Sequence, residues 1–210
     1  MSRTITVPIF PLAGAILFPR SQLPLHIFEP RYRDMVRDAM EGPARIAMIQ
    51  PVNVESESAP LYAVGCVGEI VGVEELDDGR YNIVLLGSNR FRLVSEVESE
   101  AAYRCAEVDI EAFDDSEPAP LSLGERAEVE REARRLGDAL GLAVDWEAVA
   151  RLDDEMLVNA IAQVAPFDPG AKQALLEELT LGGRADLLVQ LMQFHRAAVS
   201  GGVEIEPTVQ

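Results

Sequence analysis

Apolar positions repeat along this chain with two different spacings, and the change falls near residue 115. Before that point, short apolar runs sit between turn residues. Thr4–Val7 and Arg45–Gln50 are short and β-prone. Leu61–Val73 is rich in β-branched residues and interrupted by Gly65, Gly68 and Gly72. Glycines inside a strand mark bulges or tight bends. Asp77–Asp78–Gly79 is a hairpin turn signal. Tyr81–Leu86 follows it, then a second turn at Gly87–Ser88–Asn89, then Arg90–Val94. Tyr103–Glu111 alternates, with Ala106, Val108 and Ile110 on one face and Glu107, Asp109 and Glu111 on the other. One short helix is predicted over Arg31–Met40, with Pro30 at its first position, where a missing N–H costs nothing. Strands this short, with this many turn signals, predict a small, mostly antiparallel β-barrel or sandwich.

Phe113–Pro120 is acidic and proline-rich and reads as a linker or crossover. After it the period becomes helical. Leu123–Leu142 is a first helix with a solvated charged surface. Asp153–Ala165 is a second, burying Met156, Leu157, Ala160, Ile161 and Val164. Asp168 as N-cap and Pro169 in the first turn open a third, through Leu175, Leu176 and Leu179, which Gly182–Gly183 ends. Arg184–Val199 is a last helix carrying Leu187, Leu188, Leu191, Met192 and His195. The tail beyond it is expected to fray. The expected architecture is α+β: a β domain over residues 1–115 and a helical bundle over 121–200.

Charge narrows the partners. The 210 residues hold 36 acidic and 18 basic side chains, for a net charge of −18. Residues up to Asp115 and residues after it each carry −9, so neither part offers a basic face by composition. That disfavours nucleic acid and anionic membrane surfaces as partners. Apolar residues make up 48% of the chain and charged residues 26%, the balance of a folded globular protein rather than a disordered one. No apolar run reaches the roughly 18 residues a membrane span needs. The N-terminus has one Arg and an apolar stretch, as in a signal peptide, but Pro8, Pro11 and Pro19 break it and no small-x-small site follows. With only Cys66 and Cys105, a disulfide framework is not expected, and a cytoplasmic location is the simplest reading.

Catalytic patterns are missing from the sequence. There is no phosphate-binding Gly-x-x-x-x-Gly-Lys-Ser/Thr and no Gly-x-Ser-x-Gly. The available bases are His26 and His195, and both read as structural. Lys172, the single lysine, reads as a solvated charge in a first helical turn. Cys66, Cys105, His26 and His195 lack the pairwise spacing of a zinc site. Cys105 shares the acidic face of its strand and reads as inert. No cofactor or metal is expected.

Val7–Met35 stands out: prolines at 8, 11, 19, 24 and 30 punctuate short apolar bursts. Each proline forbids helix and fixes a bend, so the segment should lie extended along an apolar surface. Phe10–Pro11–Leu12, Leu17–Phe18–Pro19, Leu23–Pro24–Leu25, Ile27–Phe28–Glu29 and Arg31–Tyr32 together make it similar to the opening of the Lon protease N-terminal, substrate-binding domain. Further similarity runs through Gly65–Val73, Asp78–Gly79, Gly87–Phe91 and Lys172–Glu177. Arg20 departs from the pattern, standing where a glycine is usual after the second Phe-Pro.

The resemblance implies a PUA-like β-barrel followed by a helical bundle, and a stand-alone substrate-binding domain without an ATPase or peptidase of its own. The leading expectation is a non-enzymatic module that engages unfolded or apolar protein segments and works with a protease or chaperone. Its oligomeric state is open, a weak homo-oligomer included. The binding surface is expected at Phe10, Leu12, Ile16, Leu17 and Phe18, with Phe18 on a loop tip, whereas Phe28 is expected in the core under the helix after Pro30. Pro11, Pro19, Pro24, Phe28, Glu29, Arg31 and Tyr32 form the structural motif. The alternative is a small-molecule or RNA-binding barrel that uses Arg90, Arg92 and Arg104. Alternation places Arg90 and Arg92 on one face, opposite Phe91 and Leu93.

Overall fold

The computed structural model describes residues 3–53, 56 and 58–200. The tail at 201–210 lies outside the described residues. The fold is α+β, and the chain divides into two compact units, Met1–Asp115 and Ser116–Gln210.

The first unit holds strands β1 (Thr4–Pro11) and β2 (Gln22–Ile27), helix α1 (Pro30–Glu41), and strands β3 (Arg45–Ile49), β4 (Val64–Glu75), β5 (Tyr81–Val97) and β6 (Cys105–Asp109). They form one sheet in the order β2-β5-β4-β3-β1-β6, and a further β5–β6 pairing closes it on itself. Among the described residues, only the β1–β3 pairing is parallel. Alternation splits the interior into two clusters. Phe10, Leu17, Ile27, Ile83 and Leu85 pack with Tyr32, Met35 and Val36 of α1. Val7, Ile9, Ile49, Phe91, Ala106 and Val108 pack together on the other side. Each fully buried aliphatic or aromatic side chain contributes roughly 1.5–3 kcal/mol.

The expected turn at Gly87–Ser88–Asn89 is instead the middle of the 17-residue β5. The irregularity there is a register shift against Val67/Gly68, and a second lies between Ile70 and Gly72. Gly87 is needed for a close approach, since a Cβ at this position would lie 2.0 Å from the Phe18 carbonyl oxygen. Pro24 fits within β2 because that strand pairs only with β5, and prolines are tolerated on such edges.

The second unit holds α2 (Leu123–Leu140), α3 (Trp146–Val149), α4 (Asp154–Val164), α5 (Pro169–Glu177) and α6 (Leu181–Ser200). Their starts are written in the sequence. Ser122 and Glu125 form a reciprocal capping box on α2. The carboxylates of Asp145, Asp153 and Asp168 accept from first-turn N–H groups of α3, α4 and α5. Their ends depart from expectation at two places. Gly182 and Gly183 lie inside α6 rather than ending α5, and the Thr180 hydroxyl accepts from the Gly183 N–H at 3.0 Å. Helix α2 stops at Leu140 because Gly141 takes the left-handed conformation, φ 68°. The Gly141 N–H donates to the Asp138 carbonyl, and the Leu142 N–H to the Gly137 carbonyl. This paired C-terminal cap turns Leu142 back over the helix end.

Candidate functional site

The residues of the proline-punctuated segment expected to form the binding surface are buried or half-buried. Phe10, Ile16 and Leu17 are buried, Phe18 is 0% exposed, and Leu12 is half-buried against the core. The expected loop-tip surface at these residues is therefore corrected. The loop after Leu17 is clamped to β5: the Arg20 N–H donates to the Gly87 carbonyl at 2.8 Å, and the Gly87 N–H to the Ser21 carbonyl at 2.9 Å. Arg20, where a glycine is usual, takes φ 62°, so the loop keeps a glycine-like conformation. Its guanidinium donates to the Asp115 carbonyl at 2.6 Å.

Phe28 is corrected in the opposite sense, being 61% exposed. Ile27 is the inward residue at the end of β2, and alternation turns Phe28 outward beside His26, with ring centroids 6.3 Å apart. Pro19 and Tyr32 are buried, and Pro11 is half-buried. The Tyr32 ring lies 4.3 Å from that of Phe10 and 4.6 Å from the Arg31 guanidinium. Arg31 pairs with Glu29 at 2.8 Å.

Two of the three arginines of the alternative reading are paired with carboxylates. Arg90 is buried and binds Asp115, whose carboxylate accepts from the Arg90 N–H at 2.6 Å and from Nε at 2.8 Å. Arg92, unlike Arg90, is exposed, with its guanidinium 5.7 Å from the Phe113 ring. Arg104 pairs with Glu96, and that hydrogen bond holds the Glu96 carboxyl below its ordinary range. A polar hollow of about 370 Å³ beside Arg31 and Arg104 is thus lined by cations with carboxylate partners.

The candidate catalytic groups are also placed structurally. His26 Nδ1 lies 2.8 Å from Asn82 Oδ1 and Nε2 lies 3.1 Å from an Arg80 nitrogen. Lys172 is buried rather than solvated; its Nζ donates to the Gln163 carbonyl at 2.8 Å, and burial lowers its pKa. Burial also pushes the Cys105 thiol up. Among the described residues, no group of three His, Cys, Asp or Glu is placed to hold a metal.

The second unit carries a feature absent from the sequence expectations, an apolar groove of about 170 Å³. One wall is α2, through Ala133, Leu136, Gly137 and Leu140. A second is the connection after it, through Leu142, Val144, Trp146, Val149 and Leu152. The third is α4 and its end, through Leu157, Ala160, Ile161, Val164, Ala165 and Pro166. The glycine cap of α2 sends Leu142 into this wall. Gly137 lets the indole approach, since a Cβ there would lie 3.2 Å from Trp146. All lining residues are apolar, yet Leu142 is 57% and Val164 81% exposed.

The α4 stripe expected to be core therefore mostly faces this groove. The buried side of α4 is carried by Leu157, Val158, Asn159 and Ala162, and Met156 is exposed. The signals for the groove lie in the sequence: a Gly-Leu-Ala-Val run after a helix, the single tryptophan, and a second apolar face on α4.

An α+β unit of this build is shared with solved Lon N-terminal domains. The chain is similar to a Lon N-terminal domain protein from Xanthomonas campestris, with TM-score 0.64 and 22% identity over 89% of this chain and 98% of that one. It is similar to the N-terminal domain of Mycobacterium avium complex Lon protease, with TM-score 0.63 and 18% identity over 91% of this chain and 100% of that one. The chain belongs to the ATP-dependent protease La (LON) substrate-binding domain family, whose model matches residues 6–193. Lon protease 2 of Myxococcus xanthus is 29% identical over 210 residues, covering 97% of this chain and 25% of that protein. Lon protease 2 of Desulfotalea psychrophila is 27% identical, covering 88% of this chain and 24% of that protein. The chain thus spans about a quarter of the length of these relatives.

Proposed function

We propose that this chain is a non-enzymatic protein-binding module that takes apolar segments of unfolded proteins into the groove between α2 and α4. The observation that carries this reading is an all-apolar lining left open to solvent at Leu142 and Val164. Exposed apolar surface rimmed by polar residues is a recognised mark of interaction sites. A lining of this kind offers no nucleophile, acid or base, so it suits binding without transformation. The family description, substrate binding, supports a role in which the held segment passes to a protease or chaperone.

The test is a double variant, Leu142→Ser with Val164→Ser. Both side chains are largely exposed, so each change should alter stability by no more than about 0.5 kcal/mol. The variant should lose most of its ability to suppress aggregation of a thermally unfolded model client. Undiminished suppression at equal stability would remove the groove from the account.

A further inference from the structure

We infer that the groove selects apolar segments flanked by lysine or arginine. This rests on the binding reading above and adds the charge of the occupant. The part of the chain after Asp115 carries −9, half of the −18 of the whole. The charge at the groove's edge has the same sign. The connection that supplies Leu142 and Val144 is bracketed by Asp138 and Asp145, both exposed and in no ion pair among the described residues. Glu147, one residue past Trp146, is 90% exposed, and its contact with Arg151 is long, at 3.8 Å.

Arg135 and Arg151 face carboxylates, whereas Arg134 stacks on an indole and keeps its charge. The Arg134 guanidinium lies over the Trp146 ring at 4.7 Å. Arg135 pairs with Glu132 at 2.7 Å. Arg151 is the group facing Glu147. A segment whose apolar side chains enter the groove therefore brings its flanks near Asp138, which has no ion-pair partner among the described residues, and near Asp145 and Glu147, in a part of the chain that carries −9. Cationic flanks are drawn in by the local charge and by the field of the whole protein. A second copy of this chain would bring another −18 to the same edge, so charge disfavours it as the occupant. Acidic segments are disfavoured for the same reason.

The single tryptophan lines the groove, so its emission reports occupancy directly. The experiment titrates the full chain with three peptides lacking Trp and Tyr. They share one apolar core and carry Lys, Ser or Glu flanks. The Lys-flanked peptide should bind roughly tenfold more tightly than the Glu-flanked one at low salt, with the Ser-flanked peptide between them. The ratio should approach one at about 1 M salt, where the Debye length is only about 3 Å. Asp138→Lys with Glu147→Lys, both at exposed positions, should shrink or invert it. Equal affinities at low salt, or a preference for Glu flanks, overturn the inference and leave the binding reading standing. A ratio untouched by the two reversals overturns the assignment of the preference to this edge. No emission change with any of the three peptides overturns the binding reading itself, and the inference with it. An emission change that tracks protein concentration without peptide identifies a second copy as the occupant, which also overturns the inference.

Discussion

Replacing Phe18 with alanine separates a core role from a binding role for the proline-punctuated segment. The side chain is fully buried, and burial of this kind makes Phe→Ala cost about 3–5 kcal/mol. The upper part of that range is expected here. Backbone bonds tie Arg20 and Ser21 to Gly87, and the Gly87 backbone already approaches the Phe18 carbonyl as closely as a residue without a Cβ allows. The surroundings therefore have little room to collapse into the cavity. Native domains carry only about 5–15 kcal/mol in total, so the loss is a large share of it. Urea unfolding followed by far-UV circular dichroism should show a lower midpoint with an unchanged slope. Suppression of client aggregation, measured where the variant is still folded, should match the parent chain. A loss below about 1 kcal/mol, together with weakened suppression, would refute the reasoning and return the binding surface to this segment.

Three further outcomes follow from the geometry. Asp115→Ala should destabilise the first unit by about 3–5 kcal/mol, because the Arg90 and Asp115 side chains are only 3% and 4% exposed and the change leaves a buried guanidinium without its carboxylate; urea unfolding checks this, and Arg90→Met combined with Asp115→Leu should recover much of the loss. Gly87→Ala should cost about 3 kcal/mol or more, since the new Cβ would meet the Phe18 carbonyl oxygen at 2.0 Å, and a drop in the thermal midpoint reads it out. Burial pushes the Glu132 carboxyl upward, but Arg131, Arg135 and Arg196 more than offset this and hold it below its ordinary value. A folded value below the unfolded one gives stability that is fully present above the unfolded value, about pH 4.3, and is lost as the pH falls through the folded value. Glu132→Gln should flatten that acid limb of the stability profile.

Local signals placed most of the secondary structure. Alternation at Ala106 and Val108 identifies β6, Asp78–Gly79 identifies the β4–β5 hairpin, and Asp153 and Asp168 mark helix starts at the positions observed. Glycine was the ambiguous residue. Gly87 reads locally as a turn but serves a close approach to a loop almost 70 positions earlier in the chain, a contact no local pattern encodes. Gly182 and Gly183 read as a stop but are held within α6, where Thr180 supplies a side-chain acceptor. The site was less legible than the fold. Periodicity identifies an apolar face but not what lies opposite it, so Phe18 passed for an exposed tip, Phe28 for core, and the α4 stripe for buried packing. Pairing with β5 decided the first two, and the open groove beside α4 decided the third. Leu142, which follows the left-handed Gly141 cap, joins Trp146 and residues of α4 in lining the groove.

The central claim, that apolar segments dock in the α2–α4 groove, is tested most directly by mapping amide chemical-shift changes on the isotope-labelled chain as an apolar peptide is added. The account predicts that the shifts cluster over Leu140–Trp146 and Ala160–Val164, lining residues from all three walls, and that Leu142→Ser abolishes them. Shifts centred instead on the exposed Phe28 of the first unit, or a peptide that leaves the groove amides unmoved at saturation, would contradict it.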